Sequence, residues 1–170
     1  MPVTPFHLGP AMAIKGACPT WFSVGVFTLV QVAIDVETVW NILAGSYPIH
    51  GPLHTLPGGL LMALAAIAPG RWGASRLYAA IRRRWPGAPL GDVSWKAAIG
   101  GGLIGGVSHV LLDALIHDDV KPFAPWSAGN PLFVSGSFVW VHVACAVVGG
   151  AGLLIWWGRV SGQEAGSCGE

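Results

Sequence analysis

The chain has 170 residues, of which 53% are hydrophobic and 10% charged, with a formal net charge of +1 and a mean hydropathy of +0.60. A soluble domain of this size has a large surface to cover and carries about 25% charged residues on average. The composition therefore excludes a soluble enzyme, a nucleic-acid-binding domain and a disordered chain, and the near-zero net charge speaks against a polyanionic partner.

The charges are also unevenly placed. No Asp, Glu, Lys or Arg occurs in 16–34, 38–70, 97–112 or 122–158. A helix crosses a bilayer with about 20 mostly apolar residues, so these runs predict an integral membrane protein. The first segment, Pro5 to about Gly16, is about 18 Å long if helical, which suits a half-membrane or interfacial helix. Thr4 before Pro5 reads as its N-cap, with proline in the first turn. The first ten residues lack the basic stretch of a secretory signal. A longer span opens at Pro19 and Trp21-Phe22 and closes near Leu43, before the turn residues Gly45-Ser46-Tyr47-Pro48.

A second span is expected from Leu53 to Ala68, weakened at Pro57-Gly58-Gly59 and closed by Pro69-Gly70. The stretch Arg71–Lys96 holds six bases and one acid, Asp92, and reads as an amphipathic or loop segment in water. Lys/Arg-rich loops mark the cytoplasmic side, so this loop is expected in the cytoplasm of a bacterial or archaeal cell. The remaining spans are Ala97–Ile116 and about Phe133–Trp157, with Trp156-Trp157 as an interfacial belt. Gly100–Gly106 and Gly149–Gly152 favour close helix packing and a homo-oligomer. The expected fold is all-α: a polytopic helical membrane bundle of about four transmembrane helices plus the short N-terminal one. It forms a single domain over 1–160, with a disordered polar tail over 161–170. Cys18, Cys145 and Cys168 form no CxxC pair and read as isolated thiols.

The polar residues within the apolar regions are mainly histidines and carboxylates. In Ser108-His109-Val110-Leu111-Leu112-Asp113, His109 and Asp113 are four apart and share a helix face. His117 would extend that stripe by one turn, with Asp118 and Asp119 behind it. A buried carboxylate costs several kcal/mol unless it is paired or bound to metal, so the stripe points to metal binding or catalysis. Asp35-Val36-Glu37 places two acids late in the first long span, on different sides of an ideal helix. His50-Gly51-Pro52-Leu53-His54-Thr55 joins two spans, and Thr55 could steady His54 by a hydrogen bond. His7 falls in the first turn of the short helix and reaches the same layer if that helix starts at the non-basic side. His142, among apolar residues of the last span, reads as a packing residue, and Arg82-Arg83-Arg84 as a topology anchor and headgroup contact.

The metal-ligand candidates are thus His7, Asp35, Glu37, His50, His54, His109, Asp113 and His117. The catalytic candidates are Glu37 or Asp119 as general base and His117 at the leaving oxygen. A mixed nitrogen and oxygen donor set suits one or two divalent ions, zinc first, with manganese or iron as alternatives.

The order and spacing of Thr4-Pro5-Phe6-His7, Ile34-Asp35-Val36-Glu37, His50 through Thr55, Ser108 through Asp113 and His117-Asp118-Asp119 with Pro122–Ser127 resemble the YdjM-like group. These are small bacterial and archaeal membrane proteins described as metal-dependent hydrolases, distantly similar to zinc-dependent phospholipase C. The chain departs from that group in having Glu37 where Asp is common, Gly51 after the first histidine, and His54-Thr55 in place of Thr-His-Ser. The resemblance implies metal binding and hydrolysis. The expected function is a membrane-embedded hydrolase whose metal-activated water attacks an ester or phosphoester of a lipid or lipid-linked substrate, with membrane lipids as partners. The alternatives are a non-enzymatic metal-binding membrane protein, either a cation transporter or a sensor, and a helical scaffold with a polar histidine seam.

Overall fold

The computed structural model describes residues 4–167. Among them are five α-helices and no strand: α1 (Thr4–Ala17), α2 (Val24–Leu43), α3 (Leu56–Arg84), α4 (Trp95–Ile116) and α5 (Phe138–Ser167), with a single 3-10 turn at Pro52–His54 before α3. Short side chains start three of them. The Ser23 hydroxyl accepts from the Val26 N–H, Thr55 from Gly58 and Ser94 from Ala97, each satisfying a backbone donor that the first turn leaves open. The side chains of Thr4 and Pro5 lie outside the described residues, and the expected cap there with them.

Among the described residues, three helices are long and apolar enough to cross a membrane: α2, α4 and residues Phe138–Gly162 of α5. This is a membrane protein with fewer such helices than the four that the sequence predicts. The difference is α3. It does not close at Pro69-Gly70 but continues to Arg84, joining the expected second span to half of the basic segment. Gly70 has no side chain, and an added Cβ would sit 3.0 Å from Leu29 and 3.3 Å from Val26. Gly70 thus lets α3 approach α2 closely at the Pro-Gly step. Pro57, a predicted weak point, instead falls in the first turn of α3, where its missing N–H costs nothing. At the other end of the chain, α5 carries helix to Ser167, past the start of the predicted polar tail. Cys168 lies outside the described residues.

α2, α3 and α4 pack on one another, and α1 packs most extensively on α5. Buried residues of α2 (Val26, Phe27, Val30, Gln31, Ile34, Asp35, Thr38) recur every three or four positions, the stripe of a helix with one inward face. Val32, Val36 and Trp40 point outward and are exposed. In lipid, apolar surface gains little from burial, so helices associate through close packing of small residues. Both predicted glycine segments serve this purpose within the chain. Gly101 of α4 abuts the Ser23 carbonyl and Gly106 the Gly59 carbonyl, while Gly149 and Gly152 of α5 abut Gly9 and the Met12–Ala13 backbone of α1.

The pairing of Gly9 with Cys145 and of Gly16 with Gly152 makes α1 and α5 parallel. α1, α3 and α5 therefore begin at the end of the bundle where α2 and α4 finish. Apart from Lys121, which follows α4 in the loop at the site end, the bases gather at the opposite end. Lys15 donates to the Pro19 and Phe22 carbonyls, and Arg159 to that of Ala17. Arg71 stacks on Trp95 and Lys96 on Trp21.

Candidate metal centre

Four buried side chains converge where α2 and α4 end and α3 begins: Asp35 from α2, His54 from the 3-10 turn, and His109 and Asp113 from α4. The Nε2 atoms of His54 and His109 are 3.3 Å apart. Each is 3.4 Å from Asp113 Oδ2. Asp35 Oδ1 is 3.5 Å from His109 Nε2 and 4.0 Å from His54 Nε2. A tetrahedron with metal–donor bonds of about 2.0–2.1 Å has edges of roughly 3.3–3.4 Å. Four of these five separations lie at or within about 0.1 Å of that edge, so the donors fit a small divalent ion. The two carboxylates would balance the charge of such an ion, and 38–70 and 97–112 contain no lysine or arginine to pair with them instead.

The far side of each imidazole is also held. His54 Nδ1 donates to Glu37 Oε2 at 3.2 Å, and His109 Nδ1 donates to the side-chain carbonyl of Gln31. Gln31 is fixed in turn, its Nε2 donating to the Gly105 carbonyl at 3.2 Å. The Glu37 and Gln31 contacts fix the tautomers and leave each Nε2 free to face a metal. The Thr38 hydroxyl instead lies on the inner side, 3.2 Å from His54 Nε2 itself. Gln31 and Thr38 do not figure among the predicted site residues. Their signal lies in the sequence: Gln31, Asp35 and Thr38 are spaced i, i+4, i+7 in an apolar helix and are all buried.

Glu37 lies outside the four-donor group. Its carboxylate accepts from the Gly51 and Leu53 N–H groups as well as from His54, and it anchors the turn. Asp119 does the same one step away. Its Oδ2 accepts from the Ile49 and His50 N–H groups and its Oδ1 from His50 Nδ1 at 2.7 Å. These two clamps place His50 and His54. Thr55 does not touch His54, because its hydroxyl is spent on capping α3 and donating to the Pro52 carbonyl.

The predicted stripe His109–Asp113–His117 breaks at its last member. α4 ends at Ile116, and His117 is its extended C-cap residue with φ −124° and ψ 124°. Its ring turns away to stack on His50, with centroids 4.4 Å apart. His50, His117 and Asp119 form a second, outer group with mutually close donors, in which His117 and Asp119 are half-buried. Burial works to raise the Asp119 carboxyl, but the His50 ring and the two backbone N–H groups outweigh it and hold it below its ordinary value. Burial pushes the His50 and His117 imidazoles below theirs.

No family model, curated protein or solved structure matches the chain.

The short N-terminal helix does start at the site. His7 is 3% exposed, its Nε2 is 3.4 Å from Asp113 Oδ1, and neither ring nitrogen has a hydrogen-bond partner among the described residues. His142 lies outside both groups. Its Nδ1 donates to the Phe138 carbonyl at 2.6 Å and its ring packs on Phe6 and Phe138, but its Nε2 is buried with no hydrogen-bond partner among the described residues, so the packing histidine that the sequence suggests is only half satisfied.

Proposed function

We propose that the chain is a membrane-embedded metal-dependent hydrolase, acting near the membrane surface on an ester or phosphoester of a lipid or lipid-linked substrate. The observation that carries this reading is the near-tetrahedral spacing of Asp35, His54, His109 and Asp113, with both imidazoles oriented from behind. Zinc is the ion that best suits two nitrogen and two oxygen donors in that arrangement. In a hydrolase a divalent ion supplies Lewis acidity that brings a water's pKa to about 7; because four protein donors fill a tetrahedral ion, a water here needs a fifth position or a neighbouring ion. The resemblance to the YdjM-like group supports the same chemistry. The gathering of eight of the nine bases at the far end of the bundle supports a cytoplasmic basic end, with the site end at the opposite surface.

The chain's own residues divide the remaining work. Glu37 and Gln31 keep the two imidazoles in one tautomer. The pair of carboxylates neutralises a divalent charge that the low dielectric would otherwise penalise. Hydrolysis joins a water oxygen to the carbonyl carbon or phosphorus, breaks the bond to the leaving oxygen and delivers a proton to that oxygen. His7, unengaged by hydrogen bonds and beside Asp113, is placed to carry that proton. Glu37 and Asp119, the bases that the sequence suggests, are already engaged as clamps.

Elemental analysis of the purified protein beside His109→Ala tests the metal. Zinc in the first and none at this group in the second is the expected result. Hydrolysis of a panel of lipid esters and phosphoesters, unaffected by His109→Ala, would overturn the catalytic reading.

A further inference from the structure

The outer group has features that a surface pair of histidines does not require. Its residues come from backbone that is fixed on both sides. Asp119 clamps the Ile49 and His50 N–H groups. At the end of α4, the Asn130 amide donates to the carbonyls of Ala114, at 2.8 Å, and His117, at 2.9 Å. The His117 ring makes no hydrogen bond among the described residues and lies against His50. His50 in turn lies 4.7 Å, centroid to centroid, from His54 of the inner group. The two groups are therefore adjacent, and His50 stands between them.

They differ in donor number and access. The inner group has four protein donors, all buried, whereas the outer has three, two of them half-buried. Closed four-ligand sites are the structural kind, while sites that handle water or substrate keep three protein ligands and an open position. Two ions side by side can hold the attacking and leaving oxygens of one displacement.

We infer that His50, His117 and Asp119 hold a second divalent cation, exchangeable from the water side and adjacent to the inner centre. This rests on the reading of the inner group as a metal centre. The outer ion is the one with coordination positions left for water and substrate, so it defines where the substrate's ester or phosphoester group sits. A divalent ion bound through these two side chains would compete with the 2.7 Å contact between His50 Nδ1 and Asp119 Oδ1.

The test is metal stoichiometry. The full chain is purified in detergent without chelator, incubated with excess zinc chloride, desalted and analysed for zinc per chain. Two equivalents are expected for the unaltered protein and one each for His117→Ala and Asp119→Asn. The equivalent lost in those variants should also be the one that a mild chelator removes first from the unaltered protein. One equivalent in the unaltered protein, lost in His109→Ala but kept in His117→Ala, overturns the second site and leaves the inner one standing. Two equivalents retained in both outer variants place the second ion elsewhere and also overturn it. Loss of both ions in both outer variants makes the outer group a support of the inner one, and again overturns it. No zinc in any form removes the inner reading and this one together.

Discussion

At one end of the bundle, His54, His109, Asp35 and Asp113 turn inward, with side chains no more than 9% exposed. At the other end, Arg82 and Asp92 pair with side chains 33% and 80% exposed, and Arg71, Arg76 and Arg84 lie over tryptophan rings. The first end brings together residues from three separate parts of the chain, each ring held from behind by another side chain. The second uses long cationic side chains, one at a time, against neighbouring carbonyls and indoles. A buried polar group in low dielectric is costly unless every partner is in place. A surface cation keeps its water and loses little when a partner is removed. Sensitivity to mutation should therefore be concentrated at one end.

Asp113→Ala should show the largest effect. It removes the carboxylate shared by His54, His109 and His7 and should abolish metal binding. It should also cost about 3–5 kcal/mol of stability, as breaking a buried charge pair does. Metal content and thermal unfolding in detergent measure both, and a near-neutral result would erase the contrast between the ends. Gln31→Leu keeps the volume but removes the acceptor for His109 Nδ1. Metal affinity should fall about 10- to 100-fold with the fold retained, as read by competition with a chelator of known affinity. Gly149→Val places bulk where Gly9 Cα would lie 2.7 Å from the new Cβ. A loss of about 1–3 kcal/mol is expected from overpacking, with the metal retained because its four donors lie outside α1 and α5. Arg82→Ala should shift stability by no more than about 0.5 kcal/mol. A larger loss at that position would show that the basic end is also built as a network.

Much of this contrast can be read from the chain itself. The charge-free runs locate α2, α4 and α5, and the i, i+4 spacing of His109 and Asp113 finds half of the inner group. What could not be read depends on contacts distant in sequence. The extension of α3 through Pro69-Gly70 sets Gly70 against Val26 and Leu29 of another helix. The position of His7 follows from the parallel seating of α1 on α5, which hydropathy does not encode. His117 left its stripe because α4 stops one residue earlier, and Asn130 holds that end in place. Gln31 and Thr38 are legible as polar members of an apolar stripe, but being neutral they carry no charge or ligand signature, and their contacts with His109 and His54 depend on the fold.

The parallel seating of α1 on α5 also bears on the order of assembly. His7 emerges early in synthesis, whereas α5, the main neighbour of its helix, follows only after α2, α3 and α4. The three middle helices can gather Asp35, His54, His109 and Asp113 before that neighbour exists. Until α5 is made, the glycine face of α1 lacks the backbone that Gly9 and Gly16 abut, and α1 has only its smaller contacts with α2 and α4. The last helix of the chain thus supports the first, which carries His7 to Asp113.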